Sequence, residues 1–277
     1  MLLLVASILV LFLLNLFLGS VHIPMDSIWN ILWGLDGDES VIWQNIIWKS
    51  RIPQSLTALV AGAGLAVSGL QMQTVFRNPL AGPSVLGISS GASLGVAFVV
   101  LLSGSIGGIA LSRLGFMGEI ASTVAAIVGA LSVMALIVYV SQKVHGNVTL
   151  LIIGVMIGYV ANAVIGVLKF FSVEEDIRAY VIWGLGSFAR VSGNQVTVFI
   201  CIMAVLLPLS FFLIKTLNLL LLGDAYARNL GLNIKRARLQ VIACSGVLVA
   251  IVTAYCGPIT FLGLAVPHLC RGLFRSS

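Results

Sequence analysis

An all-α, polytopic transmembrane helical bundle is the fold class this sequence predicts, and three observations predict it. Of 277 residues, 60% are hydrophobic and only 9% are charged, where soluble domains carry about 25% charged residues. The mean hydropathy is +1.13. The apolar residues gather into runs of roughly eighteen or more, the length that crosses a bilayer as a helix.

Taken in order, the first run, 1–18, lacks the basic n-region and small-residue cleavage site of a signal peptide and reads as a retained first helix. The second, 54–76, places Ala58, Gly62 and Ala66 four residues apart, with Gly69 continuing that side and Gln71 and Gln73 at its end. Then "QTVFRNPLAGPSVLGISSGAS" (73–93) interrupts the apolar pattern. Asn78, Pro79 and Pro83 break the helix there, Arg77 marks its polar edge, and Ser84 is positioned to cap the next one. Runs at 84–102, 120–140, 148–171, 196–216, 238–256 and 258–274 complete eight crossings. The run at 148–171 carries Gly154, Gly158, Asn162 and Gly166 at four-residue spacing. Small residues so spaced let another backbone approach closely, since lipid supplies no hydrophobic drive to association. They serve tight packing alone, or packing and the lining of a solute path; Asn162 must find a partner or face water, because an unsatisfied amide in hydrocarbon is costly, and Gln71 and Gln73 lean toward the path.

Charge sets the orientation. With the N-terminus inside, nine Lys and Arg fall inside (Arg77, Lys143, Lys215, Arg228, Lys235, Arg236, Arg238, Arg271, Arg275) and six outside (Lys49, Arg51, Arg113, Lys169, Arg178, Arg190). The excess of Lys and Arg belongs on the cytoplasmic side. Eight acids lie outside (Asp26, Asp36, Asp38, Glu39, Glu119, Glu174, Glu175, Asp176), and Asp224 alone lies inside. No carboxylate sits mid-span, which disfavours an ion-coupled carrier. The net charge of +6 is scattered singly, so it does not make a nucleic-acid face. Cys201, Cys244, Cys256 and Cys270, and His22, His145 and His268, have no metal-ligand spacing. No phosphate-binding loop, nucleophile elbow or H-E-x-x-H helix is present. An enzyme is not expected, nor a cofactor or metal in this chain.

One connection is more than a loop. In "LNLLLLGDAYARNLGLNIKRARLQ" (217–240), Asp224 can cap a short helix that Gly231 ends in a left-handed conformation. So short a helix is unstable alone and needs something to pack against. Either it lies on headgroups, anchored by Lys235, Arg236 and Arg238, or it docks on a soluble partner.

Three stretches, "RIPQSLTALVAGAGLAVSGLQMQTVFRNPLAGPSVLGISSGA", "LGDAYARNLGLNIKRARLQ" and "GPITFLGLAVPHLCRG", resemble in order and spacing the permease subunits of ATP-binding-cassette importers for iron–siderophores, haem and cobalamin (FecCD-type, type II importers). The resemblance covers the chain from about residue 15 and implies a 10-helix fold, so residues 1–277 read as a single permease domain with about eight of the ten helices present and the C-terminal two apparently missing. It implies a homodimer in the cell inner (cytoplasmic) membrane, with two cytoplasmic ATPase subunits that hold ATP and Mg, and a periplasmic substrate-binding protein above. By the same resemblance, Gly223, Asp224, Ala225, Ala227, Arg228, Leu230 and Gly231, within the coupling segment 217–237, couple to the ATPase. Asn78, Pro79 and Leu80 form the cytoplasmic gate. Gln71, Gln73, Gly154, Gly158, Asn162 and Gly166 line the pathway, and the chain carries a bulky metal chelate, ferric siderophore first, haem or cobalamin next. For docking of the binding protein, the family's R-x-P-R stretch reads R-I-P-Q here: Arg51 matches, Gln54 stands at the second basic position, and Lys49 is nearby. An ion-coupled secondary transporter and a truncated, non-transporting membrane scaffold are the alternatives.

Overall fold

A computed structural model of the chain describes residues 2–35, 41–107, 116–144 and 147–274. Asp36, Asp38, Glu39, Arg113, His145 and Arg275, which entered the sequence reading of charge and ligand spacing, lie outside the described residues. The elements among the described residues are helical: α1 (Leu2–Phe17), α2 (Met25–Trp33), α3 (Val41–Ile46), a π-turn (Ile47–Arg51), α4 (Ile52–Phe76), a 3-10 turn (Pro83–Leu86), α5 (Ile88–Gly107), α6 (Phe116–Lys143), α7 (Asn147–Phe170), α8 (Glu174–Gly184), a second 3-10 turn (Phe188–Arg190), α9 (Asn194–Phe211), α10 (Ile214–Leu221), α11 (Asp224–Asn229), α12 (Ile234–Cys256) and α13 (Leu262–Phe274). Five helical runs are long and apolar enough to cross a membrane: Val41–Phe76, Met117–Lys143, Val148–Phe170, Asn194–Phe211 and Ile234–Cys256. Leu4–Phe17, Ile88–Leu102 and Leu262–Phe274 are shorter apolar helices, and together these eight correspond to the eight apolar runs of the sequence.

Two elements depart from the sequence expectation. The second run does not begin near residue 54; it is the end of a 36-residue helix that starts at Val41. The helix carries on through Pro53, which has no N–H to donate, because the turn before it widens to a π form in which the Ile52 N–H reaches Ile47 O. The connection before α9 holds a further helix, α8, whose first turn carries Glu174, Glu175 and Asp176, the end of a helix where negative charge is favourable.

The chain divides into two compact units, Met1–Val60 with Phe188–Cys201, and Ala61–Ser187 with Ile202–Ser277, so the boundaries fall inside α4, before the second 3-10 turn and inside α9. In the first unit, Ile23, Ile28, Ile31 and Ile47 form a core flanked by Phe17, Trp43 and Ile52. Asn15 of α1, a polar residue in an apolar run, accepts a hydrogen bond from Ser55 Oγ at 2.8 Å.

The second unit is built on backbone contact. A Cβ placed on Gly95 would lie 2.1 Å from Ala125 O, and one on Gly129 would lie 2.2 Å from Gly91 O. So α5 and α6 meet through a Gly91–x3–Gly95 strip on one side and Ala125–x3–Gly129 on the other. On α4, Gly69 presses on Gly263 of α13, where a Cβ would stand 1.6 Å from the carbonyl oxygen. Ser68 of α4 and Ser245 of α12 share a buried hydroxyl hydrogen bond of 2.8 Å. Gly62, on the same small-residue strip as Gly69, has open space around it.

Gly95→Leu and Gly69→Leu are expected to lower the thermal unfolding midpoint of the purified protein in detergent, each costing about 3 kcal/mol or more because backbone rather than a flexible side chain must move. Gly62→Ala should leave the midpoint unchanged or raise it slightly.

Candidate gate and coupling site

The interruption after the second apolar run is an ordered helix end. The Arg77 N–H donates to Thr74 O at 3.3 Å and the Asn78 N–H to Gln73 O at 3.2 Å. These two bonds make a Schellman closure, which needs a left-handed residue at its apex. Glycine usually fills that place; here it is Arg77, with φ +48. A side chain in that region carries a conformational cost, so its interactions hold the turn. The Arg77 guanidinium donates to Leu220 O at 3.1 Å and to Asp224 Oδ1 at 2.8 Å.

Beyond Arg77 the chain makes a tight loop. Asn78 Oδ1 accepts the Leu80 N–H at 2.9 Å, and Asn78 O accepts the Ala81 N–H at 3.0 Å. Pro79 and Leu80 form the exposed tip, with Leu80 68% exposed. Ala81, Gly82 and Pro83 are buried again. The following 3-10 turn has extended Gly82 before it, Pro83 at its start and no side-chain cap. Ser84 therefore lies inside that turn and does not cap it, contrary to the sequence expectation; the cap position is Gly82, whose carbonyl takes the Val85 N–H at 3.1 Å.

The short helix α11 lies at the far end of the Arg77 side chain. Gly223, at φ +108, precedes it and Gly231, at φ +86, follows it. The Gly231 N–H to Arg228 O bond (2.9 Å) and the Leu232 N–H to Ala227 O bond (3.0 Å) close it in a second Schellman motif, as the glycine suggested. Asp224 does not cap this helix. It occupies the first turn, and its carboxylate bridges Arg77 at 2.8 Å and Arg238 of α12 at 2.5 Å. Two guanidinium groups outbid the backbone for the carboxylate because charge-assisted bonds are the stronger ones. Ala227 is fully buried beneath the helix, whereas Ala225, Arg228 and the side chains of Tyr226 and Leu230 (67% and 58% exposed) face outward.

The residues assigned to a pathway are placed less uniformly. Gln71 and Gln73 are buried; Gln71 Nε2 lies 3.7 Å from Cys244 Sγ, and Gln73 Nε2 donates to Leu264 O at 3.2 Å. The Oε1 atom of each has no hydrogen-bond partner among the described residues. Gly154 receives the 3-10 turn, a Cβ there standing 2.7 Å from Val85 O, and Gly158 faces Ser90. Asn162 and Gly166, further along the same strip, are exposed. The strip thus packs at one end and is open at the other, which follows from a four-residue spacing drifting around a helix of 3.6 residues per turn.

The three residues assigned to docking belong to the first unit and differ in kind. Lys49 is exposed and Gln54 half-buried. Arg51 is 5% exposed, and its guanidinium donates to Leu16 O and Val21 O, both at 2.5 Å, and to Phe17 O at 3.3 Å. Its charge closes the carbonyl end of α1, a favourable place for a cation, and is not presented for docking.

Arg238 as a partner of Asp224, and Gly263 as the counterpart of Gly69, were not legible in the sequence. The first lies fourteen residues away in a basic run that reads equally as an anchor to headgroups. The second was hidden because a close approach involves two helices and a strip shows only one.

Comparison with known proteins settles the family. The FecCD transport family model matches residues 7–277. The chain belongs to the FecCD transport family. That makes it a membrane permease of the ATP-binding-cassette importer type and a multi-pass membrane protein. It is 35% identical over 267 residues to the hemin transport system permease protein of Yersinia pestis, covering 95% of this chain and 77% of that one. It is 33% identical over 247 residues to the vitamin B12 import system permease protein of Pectobacterium atrosepticum, covering 88% and 69%. A solved structure described as an inward-facing conformation of a metal-chelate type ABC transporter superposes with TM-score 0.80 at 28% identity, over 97% of this chain and 79% of that chain.

Arg51→Ala is expected to destabilise the protein by about 2 kcal/mol, the scale of buried hydrogen bonds to a charged group, whereas Lys49→Ala should not change the unfolding midpoint. Equal effects in thermal unfolding would show that Arg51 is not structural.

Proposed function

We propose that this chain is the translocation subunit of an importer that moves a bulky metal chelate across the inner membrane, from periplasm to cytoplasm. It works as a homodimer with two cytoplasmic ATPase subunits and a periplasmic binding protein, its own N-terminus in the cytoplasm. The observation that carries the reading is the ion pair between Arg77 and Asp224. It joins the turn that ends α4, and with it the Asn78–Pro79–Leu80 tip, to the short helix α11. A force on α11 from an ATPase reaches the tip through one side chain. The buried Ala227 and the outward Ala225, Tyr226 and Leu230 suit a helix that fixes one face to the permease and offers the other to a partner.

The cargo is read from chemistry and relatives together. Few fixed charges lie along the membrane-spanning helices, which suits a large ligand passed along without tight binding, affinity residing in the binding protein. Ferric siderophore, haem and cobalamin all fit that class; relatives named for hemin and vitamin B12 bring the latter two level with the siderophore. Lys49 and Gln54 remain as contacts for the binding protein, where exposed charge steers association more than it holds it.

The Arg77–Asp224 pair is partly exposed, 44% and 40%, so its worth in stability is small, about 0.5–1 kcal/mol. Its effect is expected in coupling. In the reconstituted full transporter, Asp224→Asn and Arg77→Gln should each retain ATP hydrolysis while chelate uptake per ATP falls several-fold, and the double variant should be no worse than either single one. Additive losses would separate the two residues and remove the link. Ala227→Arg should likewise leave the permease inserted but uncouple hydrolysis from uptake; normal uptake would overturn the role of α11. Cysteines at Asn78 or Leu80 should cross-link between protomers in at least one nucleotide state.

A further inference from the structure

A cavity of about 540 Å³ opens beside α11. Arg228, Lys235, Arg236 and Arg238 line it, and Asp224, itself shared between Arg77 and Arg238, is its one acid. Arg228, Lys235 and Arg236 are exposed and make no salt bridge among the described residues. The Nε of Arg238 is buried with no hydrogen-bond acceptor among the described residues. The remaining wall is apolar and includes Phe76 and Leu150. It is formed where four long helices stop or start: the last residues of α4 and α6, the first turn of α7 and the first turn of α12. At the α12 end the Asn233 side chain caps the helix by accepting the Arg236 N–H.

We infer that this cavity is a binding site for the headgroup of an anionic phospholipid. Ends of membrane-crossing helices lie at the level of the headgroups, and basic pockets between such helices hold phosphate-bearing lipids. The exposed bases Arg228, Lys235 and Arg236 meet a phosphodiester through charge-assisted bonds. Phe76 and Leu150 meet the glycerol and the start of the acyl chains. A free phosphate would leave that apolar half empty, and an acidic peptide would desolvate its charges against it. Because Arg238 and Arg228 belong to the wall and Asp224 is shared with Arg77, a bound lipid would sit against the α11 end of the gate linkage. The site stands without the transport reading, since it needs only the chain and a bilayer.

The test uses the whole chain purified in detergent, titrated in native mass spectrometry with phosphatidylglycerol and with phosphatidylcholine of the same acyl chains. The expected result is about tenfold preferential retention of phosphatidylglycerol, as a few bases near one phosphate provide. Lys235→Gln with Arg236→Gln should abolish the preference. Lys215→Gln with Arg271→Gln, which removes the same charge elsewhere, should keep it. Equal retention of the two lipids by the natural chain, or preference surviving in the first variant, overturns the site. Displacement of phosphatidylglycerol by millimolar inorganic phosphate would make it a site for soluble anions, and displacement by an acidic peptide would make it a protein contact; either overturns the lipid assignment. Both competitions use the unmutated chain and hold even if a variant fails to fold.

Discussion

Everything at the α11 end of this permease turns on one carboxylate. Asp224 receives Arg77 from the end of α4 and Arg238 from α12, and so gathers three segments distant in sequence. Without that carboxylate, a left-handed Arg77 would keep only the Leu220 carbonyl to hold its side chain. With it, the end of a membrane-crossing helix, the tip that follows and the short helix α11 share a single charge. The sharing is modest in energy and specific in direction.

The second constraint is backbone proximity. In lipid the hydrophobic effect does not press helices together, so van der Waals contact between backbones does much of that work. The α5–α6 pair and the Gly69–Gly263 contact are built this way, with no room for a Cβ on Gly91, Gly95, Gly129 or Gly69. Such contacts make rigid seams. Gln71 and Gln73, each with a buried oxygen lacking a partner among the described residues, follow Gly69 on α4, beside the contact with Gly263. A buried amide oxygen without a donor is costly, and a conformation that exposed either oxygen to a water-filled path would relieve that cost.

Two of the local expectations failed, each for its own reason. Ser84 and Asp224 both stood where a helix cap belongs by pattern, and neither caps. For Ser84, the turn begins at Pro83, so Gly82 holds the cap position; for Asp224, two arginines offered a better partner than backbone N–H groups. Arg51 shows the same competition: a residue that matches a docking motif in sequence is drawn inward by the carbonyls of Leu16, Phe17 and Val21. Polar side chains near lipid go to the strongest partner within reach, and reach is a property of the fold.

The sequence by itself determined the class, the eight apolar runs, the left-handed Gly231 and the place where α4 ends, because each depends on residues close along the chain: hydropathy over one helix length, glycine at one φ, proline at one turn. It also made the family legible through three motifs in fixed order. Tertiary structure alone decided that Arg77, Asp224 and Arg238 are partners, that Gly69 answers Gly263, and that the Gly154–Gly166 strip is packed at one end and open at the other. Those pairings join segments up to nearly two hundred residues apart. No local pattern encodes which of several bases an acid will meet, or which helix a glycine strip will face; the packing of the helices in space does.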